Sequence, residues 1–107
     1  MSLTGKQLRH LRALGHALDP VVQLGKHGLT DGVIAAVDVA LEQHELVKLK
    51  VGSECPDDRK DIAARLGPAV KGEIAQILGR TLLVYRRHPK KPVIVLPKPD
   101  KVAAPKP

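Results

Sequence analysis

The chain is almost without aromatic side chains: in 107 residues Tyr85 stands alone, with no Phe and no Trp. Domains that read single strands by stacking bases on aromatic rings need two or three such platforms. That mode of recognition is excluded, and any nucleic-acid contact must work through backbone, shape and charge. Cysteine is equally scarce, since Cys55 is the only one. Neither a disulfide framework nor a cysteine metal site can form within one chain. His10, His16, His27, His44 and His88 show no ligand spacing. No apolar run approaches the roughly 20 residues of a membrane span, and no signal-peptide pattern opens the chain. The expectation is one cytoplasmic, reduced domain, with no metal, no cofactor and no membrane partner.

What the chain has in excess is positive charge, a net of +7. Its location matters more than its size. From Arg86 to Pro107 there are seven Lys or Arg and one Asp, so the first 85 residues are left with a net of only +1. A nucleic-acid footprint on the folded part would need charges segregated between faces.

The string Gly25-Lys26-His27-Gly28 supplies a place for that contact. Two glycines bracket a basic pair, and Leu29-Thr30-Asp31-Gly32 follows with helix-start chemistry. A glycine lets a ligand approach the backbone without a Cβ in the way. A helix N-terminus adds unpaired N–H groups and partial positive charge, a combination that suits phosphate. A bare G-x-x-G also describes an ordinary tight loop, so its surroundings decide.

Those surroundings predict seven elements. Thr4 or Ser2 caps a first helix reaching His16, with Leu8, Leu11, Leu14 and Gly15 on one side and Lys6, Arg9 and Arg12 on the other. Those three bases would ordinarily be a solvated face, but no acid occurs between Met1 and Ala17. Asp19-Pro20 introduces a short strand at Val21-Val22-Gln23-Leu24. Thr30 is a good N-cap for a second helix buried through Val33, Ile34, Val37, Ala40 and Leu41. Asp31, Asp38, Glu42 and Glu45 are expected on its solvated face. Alternation in Leu46-Val47-Lys48-Leu49-Lys50-Val51 predicts a half-buried strand with both lysines on one side. A third helix starts at Asp57-Asp58, and Pro68 is expected to kink or shorten it. Two strands, 73–78 and 81–86, flank a glycine-first hairpin turn at Gly79-Arg80. The second is apolar on both faces, which predicts a central position. Val93-Ile94-Val95-Leu96 is expected to dock as an extended piece, and residues 97–107 to form a disordered Pro/Lys-rich tail. The fold class is α/β, a compact two-layer domain over residues 1–96 in the order α-β-α-β-α-β-β, with a mixed four-stranded sheet.

Three blocks of the sequence resemble a known family. They are Leu11-Arg12-Ala13-Leu14-Gly15-His16 with Asp19-Pro20-Val21-Val22, the segment from Leu24 to Val33 continuing into Ala40 to Lys48, and Gln76 to Arg86. In this order and spacing they resemble the YhbY-like proteins, or CRM domain. The resemblance implies an RNA-binding domain with a KH-like G-x-x-G loop and a fold similar to the C-terminal domain of translation initiation factor three. It also implies a link to assembly of the large ribosomal subunit, or, in plant relatives, to organellar intron splicing. It places the loop on Gly25, Lys26, His27 and Gly28 and the basic helix on Lys6, Arg9 and Arg12. Pro68 departs from the family pattern, and the tail lies outside it.

The expected function is a non-catalytic factor, monomeric, that binds precursor large-subunit ribosomal RNA. Gly25, Lys26, His27, Gly28 and Thr30 would hold the sugar-phosphate chain, with Lys6, Arg9 and Arg12 widening the contact. Arg86 and Arg87 join if their end of the sheet is close. The alternative is an adaptor that docks on a ribosomal or splicing protein through the second helix's acidic face or the sheet. An enzyme has little support, because Gly25-Lys26 lacks P-loop spacing and no histidine has a matched nucleophile.

Overall fold

The computed structural model describes residues 3–97, and its elements follow the expected order. They are α1 (Gly5–His16), β1 (Val22–Leu24), α2 (Asp31–His44), β2 (Leu46–Val51), α3 (Arg59–Val70), β3 (Glu73–Leu78) and β4 (Thr81–Tyr85). Each helix begins on a side-chain cap. Thr4 and Gln7 form a reciprocal capping box, Thr30 accepts from the Val33 N–H at 3.2 Å, and Asp58 accepts from Lys60 N–H. Beyond Pro97, the expected tail lies outside the described residues.

The strands run in the order β1-β2-β4-β3. β1 and β2 are parallel, while β4 is antiparallel to both of its neighbours, so the sheet is mixed. The last strand in sequence is therefore central, as its apolar faces require. Gly79, at φ 58°, makes the β3–β4 turn.

The expected two layers become three. Alternation sends Val47, Leu49, Val51, Leu82 and Val84 into a core with α2 and α3. It sends Leu46, Leu83 and Tyr85 to the opposite face, where Leu11 of α1 and the side chains of Ile94 and Leu96 cover them. β4 is apolar on both sides, so each face needs its own cover. Pro68 is likewise tolerated: α3 runs through it to Val70. Gly67 has no Cβ to clash with the proline ring, and only the last turn loses an N–H. Lys71, left-handed at φ 55°, then ends the helix while Gly72 N–H donates to Gly67 O at 2.9 Å.

The largest departure from the expected surface is Glu45. It is 1% exposed rather than solvated. Its backbone turns left-handed, at φ 64°, to end α2, and its carbonyl accepts the Arg86 N–H at 2.8 Å. Its carboxylate accepts three N–H groups at 2.7 Å: His88 on Oε2, and Val93 and Ile94 on Oε1. This is what docks the extended 88–97 segment, whose end is held by Gln7 Nε2 donating to Pro97 O at 3.1 Å. Burial alone would raise the Glu45 pKa. The N–H donors of His88, Ile94 and Val93, helped by the charge of the His88 ring, more than offset it and leave the carboxyl below its ordinary value.

A lowered folded pKa contributes stability that is full above the usual glutamate range, about 4.3, and lost as the pH falls through it. Acidification should therefore lower the hydrogen-exchange protection factors of the Val93 and Ile94 amides, measured against intrinsic rates at the same pH, before global unfolding. Glu45→Gln sets an NH₂ against N–H donors and should cost about 2 kcal/mol in urea denaturation, with the same amides exposed at neutral pH. Tyr85 offers the opposite case. Its hydroxyl is buried with no hydrogen-bond partner among the described residues, and burial, with the Glu45 charge, raises its pKa while Arg87 opposes. Tyr85→Phe should stabilise the fold by about 1 kcal/mol, read as a higher melting temperature.

Candidate nucleic-acid interface

The glycine loop leaves the end of β1 and enters α2 through a single tight turn. Gly28 N–H donates to Gly25 O at 3.0 Å, which places Lys26 and His27 at the two corners, both exposed. The two glycines have different reasons to be there. Gly28 sits at φ 69°, and a Cβ on it would collide with the Asp57 carboxylate. Gly25 has no such constraint, because a Cβ there would meet nothing within 4 Å. The fold requires Gly28; what Gly25 keeps clear is the open side of the turn.

The loop is braced from beneath. Asp57 Oδ2 accepts the Leu29 N–H at 3.0 Å, and Gly52 N–H donates to Leu24 O at 2.8 Å. The β2–α3 connection therefore fixes both ends of the turn. Arg65 lies 3.8 Å from Asp57 and offsets part of its charge beside the loop. The Thr30 side chain is occupied as the α2 cap, while the Asp31 and Gly32 N–H groups in the first turn have no intrahelical acceptor.

The other basic residues expected at the site fall elsewhere. Arg12 is committed to the structure. β3 carries a bulge between Ile74 and Gln76, and the carbonyl of Ala75 takes the Arg12 Nε–H at 3.2 Å. That contact is at the β3 edge of the sheet, whereas the loop follows β1 at the other edge. Lys6 and Arg9 are exposed, but on this same helix, across the opposite face from α2. Arg86 also departs from expectation. Its guanidinium bonds Asp38 Oδ1 at 2.6 Å, Val70 O at 2.8 Å and Asp38 O at 3.0 Å, with Glu42 at 3.6 Å. It neutralises α2's acidic face and is not available to a ligand. Arg87 is exposed, yet it follows the end of β4 that pairs with Leu46, the far end of β2 from the loop.

Two cations that sequence reasoning did not place here do reach the loop's end of the sheet. Lys50 is paired in register with Gln23 of β1, and the Arg80 carbonyl accepts the Val51 N–H at 2.7 Å. The strand alternation puts Lys48 and Lys50 on one face, but only the position of α1 shows which of them is left uncovered. Lys48 donates to Gly15 O at 3.2 Å, while Lys50 is exposed.

Comparison with known proteins matches residues 3–86 to the CRS1 / YhbY (CRM) domain. The chain belongs to this family. It is 38% identical over 95 residues to the protein named Probable RNA-binding protein YqeI from Bacillus subtilis, covering 89% of this chain and 99% of that protein. It is 39% identical over 85 residues to a Haemophilus influenzae protein named RNA-binding protein, covering 79% and 86%. The solution structure of the hypothetical protein SAV1595 from Staphylococcus aureus superposes with a TM-score of 0.76 at 40% identity, covering 90% of this chain and 100% of that one. CRM-domain RNA-binding proteins are non-catalytic. Among the described residues no group of three or more metal-binding side chains occurs, and no helix is long and apolar enough to cross a membrane.

The loop of this CRM domain thus combines one glycine demanded by the fold with one that is not. Gly28→Ala should cost at least about 1 kcal/mol in urea denaturation, from left-handed strain and the Asp57 clash. Gly25→Ala should stay within about 0.5 kcal/mol of the parent.

Proposed function

We propose that this CRM domain binds the sugar-phosphate backbone of structured ribosomal RNA, as a non-catalytic, monomeric, cytoplasmic factor acting on precursors of the large subunit. The observation that carries the reading is the braced turn at residues 25–28. It presents Lys26 and His27 outward beside α2's first-turn N–H groups, and neither has an ion-pair partner among the described residues. Gly25 admits the backbone closely, Lys26 supplies charge, and His27 supplies a hydrogen bond. Because Asp57 and Gly52 hold the turn in place, binding need not first order it, which saves conformational entropy. Phosphate contacts position a ligand without reading its sequence. The RNA's folded shape is then the source of selectivity, consistent with a chain that has no aromatic platform.

Lys6 and Arg9 remain exposed on α1 as an outlying contact, and the basic tail adds sequence-independent attraction and a faster on-rate. The adaptor alternative has less to work with. Asp38 and Glu42 are engaged by Arg86 and His88, and Glu45 is buried, so the acidic face it would use is largely occupied.

Replacing Lys26 and His27 together by Asp should weaken binding to large-subunit precursor RNA by at least about tenfold with an unchanged melting temperature. Equal affinity in filter binding would remove the loop from the site. Crosslinking in cells, with sequencing of the bound RNA, should recover large-subunit precursors; recovery of none would refute the assembly role.

A further inference from the structure

Some cations of this domain are used by the fold, and three that are not lie together at the loop's end of the sheet. Arg12, Lys48 and Arg86 each donate to a backbone carbonyl, and Arg65 lies 3.8 Å from the Asp57 carboxylate. Lys26, Lys50 and Arg80 are exposed and make no ion pair among the described residues. Strand pairing brings these three to one end of the sheet. Gln23 is in register with Lys50, Lys50 with Thr81, and Thr81 with Leu78, so four residues form a row across all four strands. Three strand spacings make that row about 14 Å long. Leu24, Leu49, Val51 and Leu82 point into the α2–α3 core, so their neighbours in the row point to the other face. On that face α1 ends at His16 and covers Leu83, one pleat short of the row. Gln23, Lys50 and Leu78 are therefore exposed, Thr81 is half-buried, and Arg80 closes the row at the hairpin turn. Gln23 is two residues before Gly25, so the row continues directly from the loop.

We propose that this row is a second part of the RNA site, and that the sugar-phosphate chain held at residues 25–28 continues across Gln23 and Lys50 to Arg80. The inference rests on the RNA reading of the loop and extends it away from α1. Lys50 and Arg80 supply charge to successive phosphates, and the Gln23 amide supplies a neutral donor between the loop and Lys50. Two nearby acids, Asp31 in the first turn of α2 and Glu54 just after β2, offset part of this charge. Both are exposed without an ion pair among the described residues. The other two are occupied. Asp57 and Asp58 lie on the β2–α3 connection, which leads to the other face, and they are bonded to the Leu29 and Lys60 N–H groups.

The test compares full-length variants by fluorescence anisotropy against a ~40-nucleotide labelled RNA hairpin with single-stranded flanks, over a range of KCl concentrations. Lys50→Ala with Arg80→Ala should weaken binding about tenfold and reduce the salt slope by about 1.5, at 0.7 to 0.9 per phosphate contact. Its circular dichroism melt should match the parent. Lys71→Ala with Lys90→Ala removes the same charge elsewhere on the surface and should leave the slope unchanged. No loss in the first pair, or an equal loss in both pairs, overturns the row while leaving the loop reading intact. Full affinity in the Lys26→Asp/His27→Asp variant would instead overturn the reading on which the row depends.

Discussion

A single carboxylate organises half of this molecule. Glu45 ends α2, receives the backbone of Arg86 as β4 leaves the sheet, and gathers three N–H groups from a segment that has no regular structure of its own. An extended, proline-rich stretch has little reason to hold a fixed path, because its N–H groups find no ladder partners. Concentrating three of them on one buried anion gives it that path, and lays Ile94 and Leu96 over the face of the sheet that α1 leaves partly bare. The arrangement removes a negative charge from the surface of a domain whose first 85 residues are almost neutral.

That removal is part of a wider sorting of charge. Arg86 and His88 engage Asp38 and Glu42, so α2's acidic side is neutralised close to where its charges arise. Arg12 and Lys48 satisfy carbonyls that a bulge and a helix end would otherwise leave open. At the loop's end of the sheet the unpaired Lys26, Lys50 and Arg80 outnumber the two exposed acids without an ion pair among the described residues, Asp31 and Glu54. A chain with only a small excess of bases over acids in its folded part can still present a basic surface, provided the acids are the residues the fold consumes.

Much of this was legible in the sequence. The cap at Thr30, the glycine-first hairpin and the centrality of the last strand follow from short-range chemistry and appear at the expected residues. Of the two cap candidates for α1 it is Thr4 that serves, and Asp58, expected in the first turn of α3, caps it instead. The faces of the sheet were only half legible. Alternation in β2 separated Lys48 and Lys50 from Val47 and Leu49, but nothing local says that α1 stops between those two lysines. Arg12 and Arg86 look like any solvated base until the bulge at Ala75 and the C-terminus of α3 are in place. Glu45 was misread for a related reason. Its helical position matches that of Asp38 and Glu42, and its burial comes from a segment more than 40 residues later. Pairings set by distant chain segments were the ones sequence periodicity did not reach.

The strand order has a consequence for how the protein is made. β4 leaves the ribosome after β1, β2 and β3, yet it occupies the gap between β2 and β3, two strands that do not pair with each other. Until residue 85 is synthesised, the nascent chain can assemble little more than the β1-α2-β2 unit with its loop. The sheet then closes late, in a step dominated by long-range contacts, which are slow to form. Lys50 acquires its neighbours Thr81 and Arg80 only at that moment. An incomplete chain would carry the glycine turn but not the surface beside it, so the full basic rim is a property of the finished protein alone.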